Sequence, residues 1–143
     1  MTTTHMNQHS VDLTDATVQE IQLELIRRRR FNQFDGQKTH DFLMKHRDLW
    51  IGVTMDRFGY ISEKADAAAH WGLIKLRDLP GNRWNVDTLV VMTATRDQAH
   101  QLAKLIEESD LEADTVEVES EANTGMALGS SPTNRGLVSA WWD

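Results

Sequence analysis

The pattern of residues 86–119, VDTLVVMTATRDQAHQLAKLIEESDLEADTVEVE, predicts a strand, a helix and a second strand. Residues 86–93 are rich in β-branched side chains, as strands are. After Thr95 or Asp97 as N-cap, apolar residues recur at every third or fourth position, which is typical of an amphipathic helix. Polar and apolar residues then alternate over 115–119, which predicts the second strand.

A further strand and helix are predicted ahead of this unit. In residues 49–55 the aliphatic side chains of Leu49, Ile51, Val53 and Met55 alternate with Trp50, Gly52 and Thr54, which indicates a strand. Ser62 can cap a helix through the alanine-rich segment 63–70. Residues 72–77 are rich in β-formers, and the turn sequence DLPGN separates them from the strand that begins at Val86. The two segments therefore predict a β-hairpin.

The predicted order is β-α-β-β-α-β, that of a ferredoxin-like sandwich with a four-stranded antiparallel sheet and two helices on one face. Alternation along the strands places Ile51, Val53, Leu89 and Val91 in the core of this sheet. Residues 70–76 leave an alternative open, because their apolar side chains could equally continue the preceding helix. Three strands and four helices would then result, and the class is α+β in both cases.

One domain in three parts is expected. Residues 1–11 are polar without periodicity and predict a flexible tail. Residues 12–48 predict an N-terminal helical hairpin, in which Asp35 and Gly36 separate two amphipathic helices. Residues 49–143 hold the α+β core and its C-terminal extension.

The C-terminal extension begins as a predicted loop and ends in two adjacent tryptophans. Residues 121–136 contain the Asn, Thr, Gly, Ser and Pro that loops favour. Residues 137–143, LVSAWWD, predict an extra strand whose Trp141 and Trp142 point to opposite faces. One domain face can bury only one of them, so we expect Leu137, Trp141 and Trp142 to contribute to the interface of a homo-oligomer or to a contact with a protein partner.

The composition excludes several classes of protein chemistry. The chain has no cysteine, so disulfides, thiolate metal sites and cysteine nucleophiles are ruled out. It lacks the pattern of a secretory signal and any run of 18 apolar residues, so we expect a cytoplasmic protein without a membrane partner. No P-loop, zinc-helix or nucleophile-elbow motif occurs, so neither a cofactor nor a metal is expected.

The net charge of −7 is unevenly distributed along the chain. Residues 27–47 contain seven Lys and Arg against two Asp. Residues 105–134 contain eight acidic residues and neither Lys nor Arg. If the fold keeps these segments apart, the molecule has a basic and an acidic end.

Four consecutive arginines, Arg27, Arg28, Arg29 and Arg30, form a candidate anion-binding site. Clustered arginine neutralises phosphates. Four successive helical positions, however, spread over roughly 300° of the helix surface, so they do not form one stripe. Cations also stabilise a helix C-terminus. We therefore expect the run to stabilise its helix, and we do not expect nucleic acid as a partner.

The catalytic residues, if there are any, are unknown from the sequence. The five tryptophans could line a small apolar pocket in a dimer of ferredoxin-like domains. In that case His70 and His100 are the first acid–base candidates, because imidazole titrates near neutrality.

These features lead to three hypotheses about function. The first is a non-enzymatic binding or assembly module that acts through protein–protein contacts, because chemical motifs are few while the terminal tryptophans and the charge asymmetry are interaction features. The second is a small cofactor-independent enzyme with the Trp- and His-lined pocket. The third is an anion or nucleic-acid binder that uses the four arginines.

Overall fold

The computed structural model describes residues 12–57, 74–130 and 133–143. The predicted tail at 1–11 and the predicted helix at 63–70 lie outside the described residues. Within them the chain forms five α-helices and two antiparallel sheets, so the α+β class is confirmed. Among these helices, none is long and apolar enough to cross a membrane.

The elements are numbered in chain order. The helices are α1 (Val18–Arg28), α2 (Gly36–Lys45), α3 (Ile74–Asp78), α4 (Arg96–Glu108) and α5 (Glu121–Leu128). The strands are β1 (Arg30–Phe31), β2 (Phe34–Asp35), β3 (Gly52–Asp56), β4 (Thr88–Thr93), β5 (Thr115–Val118) and β6 (Gly136–Trp141). Short 3-10 helices cover Arg47–Leu49 and Leu79–Gly81.

Helix α1 has well-defined ends. At its start the Thr17 hydroxyl accepts from the Glu20 N–H at 3.1 Å, and the Glu20 carboxylate accepts from the Thr17 N–H at 2.9 Å. This capping box satisfies two backbone donors that the helix leaves unpaired. At its end Arg29 is already extended, with φ −75° and ψ 131°, and the ribbon of β1 and β2 follows. The helix therefore holds only the first two arginines of the run.

Helix α2 starts directly against the end of α1. The Asp35 carboxylate caps it by accepting from the Lys38 N–H at 3.2 Å. A Cβ atom at Gly36 would collide with the carbonyl oxygens of Ile26 and Arg29. Glycine is needed here because the backbones of the two helices approach too closely for any side chain.

The main sheet has the strand order β3-β4-β6-β5, and every neighbouring pair is antiparallel. Strands β4 and β5 run in the same direction, because both are antiparallel to β6, and α4 connects them. The unit that the sequence predicts over 86–119 is therefore a split β-α-β unit. The C-terminal strand lies between its two strands, in the middle of the sheet.

The predicted hairpin of 72–77 with 86–93 is not formed. Over the described part of its first segment the chain forms helix α3, and a 3-10 turn follows. Strand β4 pairs instead with β3 and β6, so the strand order differs from the predicted ferredoxin-like order. The physical reason is that a short apolar run satisfies both helical and strand periodicity.

Helix α5 occupies part of the predicted loop at 121–136, so that prediction was wrong. The Ser120 hydroxyl accepts from the Asn123 N–H at 3.1 Å and caps the helix. Gly129, with φ 64°, ends it in the left-handed conformation that favours glycine. Both signals are present in the sequence, but residues of low helix propensity such as Gly125 lie between them.

The inner face of the sheet packs against α1 and α4, and α2 packs against α1. The inner face contributes two rows of buried side chains, Val53, Val91 and Val138 in one row and Met55, Leu89 and Ala140 in the next. Ile51, which was expected in this core, precedes β3 and is 39% exposed. Its assignment to the core was wrong because the strand begins only at Gly52.

Candidate functional site

Three of the four consecutive arginines line one groove on the surface of the protein, which we call the arginine groove. Its volume is about 640 Å³, within the range of roughly 300–1,000 Å³ that is usual for small-ligand clefts. The lining residues are Leu25, Arg28, Arg29, Arg30, Lys75, Leu79, Asn82, Arg83 and Trp84. Among the described residues of this lining, five side chains are cationic and none is acidic.

The first wall of the groove is the end of α1. Because the helix stops at Arg28, Arg29 is extended and Arg30 lies in β1. The side chains of these residues therefore do not follow the 100° helical rotation. The expectation that the run spreads around a helix was wrong, since it assumed a helix through all four positions.

Arg27 is the one arginine of the run that does not line the groove. It hydrogen-bonds the Glu24 carboxylate and the Gln37 side chain, and Arg28 bonds the same carboxylate at 2.6 Å. Glu24 is only 6% exposed. Burial raises its pKa, but the hydrogen bonds and charges of Arg27 and Arg28 outweigh burial, so the pKa lies below its ordinary value.

Arg29 is held in place without a carboxylate. Its Nε donates to the Val86 carbonyl at 3.1 Å, and its guanidinium lies over the Phe31 ring at 4.3 Å from the centroid. Burial lowers its pKa, Asp87 raises it, and the positive charge of Arg83 lowers it again. Among the described residues no carboxylate hydrogen-bonds Arg29. A guanidinium has five donors, so some of its donors remain for a ligand.

The second wall runs from α3 to Trp84. The Asn82 N–H donates to the Leu79 carbonyl at 2.9 Å, and Asn82 itself takes the left-handed conformation with φ 58°. The Arg83 N–H donates to the Asp78 carbonyl at 3.2 Å. This tight turn determines where Arg83 and Trp84 enter the groove.

An ion-pair network holds the second wall to the sheet. Asp78 accepts from both nitrogens of the Arg77 fork and from the Asn85 amide, and these hydrogen bonds lower its pKa to about 2. Asn85 in turn accepts from Arg57 at 2.9 Å. Lys75 donates to Asp56, the last residue of β3, at 2.6 Å. The backbone turn of the wall and the Lys75 side chain are thus anchored before any ligand arrives.

The sequence analysis missed the second wall. It assigned residues 78–82 to a turn and gave Arg83 and Trp84 no role beyond a possible pocket for the tryptophan. The local signal was a cation and an aromatic residue directly after that turn. Their placement opposite the arginine run is a tertiary contact that no local pattern predicts.

The three predicted interface residues differ in how much of each side chain is exposed. Trp142 is 1% exposed, and its indole N–H donates to the Leu111 carbonyl at 2.8 Å. Leu137 is also buried, at 7%. Trp141 is 36% exposed on the opposite side of the chain. Of the three residues, only Trp141 presents its side chain at the surface.

The proposed enzymatic pocket lies only partly within the described residues, and the tryptophans described there differ in burial. His100 is exposed on α4, whereas His70 and Trp71 lie outside the described residues. Trp50 is 1% exposed, and its indole N–H donates to the Leu43 carbonyl at 2.8 Å. Trp50 and Trp142 therefore pack in the core with satisfied polar atoms. In the described part of the chain, no cluster of three or more His, Asp or Glu side chains could hold a metal ion.

The basic and acidic segments meet within one molecule. A second cleft of about 490 Å³ lies between α2 and the end of α4. Across it the Lys38 ammonium lies 3.2 Å from the Asp110 carboxylate. Both side chains are more than half exposed, so this pair contributes little to stability. The cleft has both signs of charge, whereas the charged side chains that the structure describes in the arginine groove are all positive.

Comparison of the chain with protein-family models, with curated proteins and with solved structures found no match.

Proposed function

We propose that the protein is a non-enzymatic binding module that takes an anionic ligand in the arginine groove. The observation that supports this is the lining itself, to which the described residues contribute five cationic side chains and no acidic one. Of the three hypotheses raised by the sequence, anion binding is the one for which the described residues form a defined cavity.

The charge balance around the groove favours an anion. Glu24 pairs with two arginines, Asp35 pairs with Arg30 and Asp56 pairs with Lys75. Burial lowers the pKa of Arg29, the charge of Asp87 raises it, and the charge of Arg83 lowers it again, so Arg29 and Arg83 lie close enough to repel each other. A ligand with negative charge between them would remove this repulsion, and guanidinium groups bind phosphate or carboxylate oxygens in pairs.

The test is a calorimetric titration with pyrophosphate as the probe. We expect the wild-type protein to bind pyrophosphate and the Arg83→Gln variant to bind about 10-fold more weakly, because a hydrogen bond between charged groups is worth about 1.5–3 kcal/mol. Binding should weaken between about 50 and 200 mM salt, since salt screens exposed charges.

Two variants with the same loss of charge serve as controls. Lys104→Gln and Arg135→Gln each remove one exposed cation outside the groove. They should bind pyrophosphate like the wild type. An equal loss in the controls would show that only the net charge matters, and no binding by the wild type would refute the proposal.

Self-association through Trp141 is a second candidate function. The observation in its favour is the 36% exposure of this large apolar side chain, which lies in register between Thr88 and Thr115 across three strands. A second copy of the chain could cover it. We expect Trp141→Ala to shift sedimentation towards monomer at micromolar concentration, and wild-type protein that is monomeric at about 100 micromolar would exclude this candidate.

A further inference from the structure

We infer that the ligand of the arginine groove is a nucleoside phosphate, with its phosphates on the arginines and its base on Trp84. This inference rests on the proposed function and adds the ligand class to it. Three features of the groove carry it: its apolar lining, its size and the amide of Asn82.

The lining of the groove is apolar as well as cationic. Trp84, Leu25 and Leu79 contribute to the same cavity as the arginines. Trp84 is half-buried and packs against the hydrophobic core, so its ring is held in place while part of it stays accessible. An inorganic anion would leave these three side chains in water, and a purely apolar ligand would leave Arg29 and Arg83, which form no ion pair with the described residues, without an anionic partner. A ligand with a phosphate and a flat ring satisfies both parts.

The size of the groove also favours a mononucleotide. A volume of about 640 Å³ exceeds what a phosphate ion fills and is that of a cleft for a small organic molecule. A polynucleotide would need cations that continue beyond the groove. Arg27, the next residue of the run, is instead bound to Glu24 and Gln37.

Asn82 provides a polar group at the groove. Its side-chain amide makes no hydrogen bond to any of the described residues, and an amide can both donate to and accept from the edge of a base. Aromatic side chains stack on every base, since every base has a π-face. The groove thus offers Trp84 as a contact for the face of the base and the Asn82 amide as a contact for its edge.

The test compares three classes of probe on the full chain by calorimetry: the four common ribonucleoside diphosphates, pyrophosphate, and the corresponding nucleosides. We expect at least one diphosphate to bind about 10-fold more tightly than pyrophosphate, and the nucleosides to bind weakly. Trp84→Leu should remove the advantage of the diphosphate over pyrophosphate and leave pyrophosphate affinity within about 2-fold. Arg83→Gln should weaken both.

A second variant tests the inference even if Trp84→Leu does not fold. Asn82→Gly keeps the left-handed backbone, which glycine adopts readily, and removes only the amide. It should reduce diphosphate affinity about 3-fold and leave pyrophosphate unchanged.

The outcomes separate the two proposals. Pyrophosphate binding with no gain from any nucleoside would overturn this inference and leave the proposed function standing. No binding of either probe would overturn both. A single-stranded oligonucleotide that binds far more tightly than every diphosphate would replace the mononucleotide with nucleic acid.

Discussion

At the scale of single residues, the side chains that build the arginine groove are held by ordinary local interactions. The Phe31 ring and the Val86 carbonyl orient Arg29, and Glu24 orients Arg28. A sequence of four arginines shows the charge, but it does not show that Arg27 turns to Glu24 while the next three line a groove. That division depends on the helix ending at Arg28.

The buried carboxylate of Glu24 leads to a prediction about stability and pH. Glu24→Gln should lower the free energy of unfolding at pH 7 by about 1–3 kcal/mol, because the two arginines lose a charged acceptor. The pKa of Glu24 is lower in the folded protein than its ordinary value of 4.5. The stabilisation is therefore present above pH 4.5 and is lost as the pH falls through the lowered folded pKa.

Urea unfolding at pH 7 and at about pH 3 measures this effect. The difference between wild type and Glu24→Gln should shrink at the lower pH, because Glu24 in the unfolded wild-type chain is already protonated below its ordinary pKa of 4.5. Glu108→Gln, at an exposed position of α4, should differ little from the wild type at either pH. If the difference in unfolding free energy between wild type and Glu24→Gln does not change with pH, the lowered pKa of Glu24 is contradicted.

At the scale of elements, the edge strand β3 is protected by a side chain. The Gln19 amide donates to the Val53 carbonyl at 2.8 Å and accepts from the Val53 N–H at 2.9 Å. Both backbone groups lie on the edge of β3 that has no neighbouring strand among the described residues. The amide therefore pairs with them as the backbone of another strand would, and it blocks pairing with other chains.

Removal of that amide should affect both stability and aggregation. Gln19→Ala should cost about 1–2 kcal/mol by urea unfolding, because two partly buried hydrogen bonds are lost. Light scattering on heating should also rise earlier than in the wild type. Gln22→Ala is the matched control, since Gln22 accepts only from the exposed Thr54 hydroxyl. If Gln19→Ala is as stable as the wild type, the Gln19 amide does not stabilise the edge of β3.

Helices α3 and α5 show the limit of pattern analysis at this scale. For α3 the apolar run was too short to distinguish helix from strand. For α5 the capping residues were present, but low propensity between them hid the helix. The longer helices α1 and α4 repeat their apolar spacing over several turns, which made them predictable.

At the scale of the whole molecule, the C-terminal strand holds the sheet together. Strand β6 pairs with β4 on one side and with β5 on the other. It also contributes Leu137, Val138 and Ala140 to the buried residues, and Trp142 follows it. The segment was expected to be an extra strand, and it is a central strand of the sheet; its part in an interface stays a prediction.

Deletion of residues 137–143 should therefore abolish cooperative unfolding. The loss of a central strand removes two ladders of hydrogen bonds and a buried tryptophan, which exceeds the usual net stability of about 5–15 kcal/mol. Circular dichroism during thermal unfolding measures this. Trp141→Ala, which changes an exposed position of the same strand, should unfold within a few degrees of the wild type. A truncated chain that melts cooperatively would show that β6 is dispensable.

Local interactions specify the α+β class, the helices α1 and α4, and the strands β3, β4, β5 and β6, because caps and apolar spacing act between residues close in sequence. The neighbour of each strand and the second wall of the groove depend on contacts between distant residues. Arg29 and Val86, for example, are 57 positions apart. Such contacts form only when the whole chain packs, since a strand's hydrogen-bonding groups are the same whichever strand they meet. The tertiary structure alone therefore placed Arg83 and Trp84 opposite the arginines.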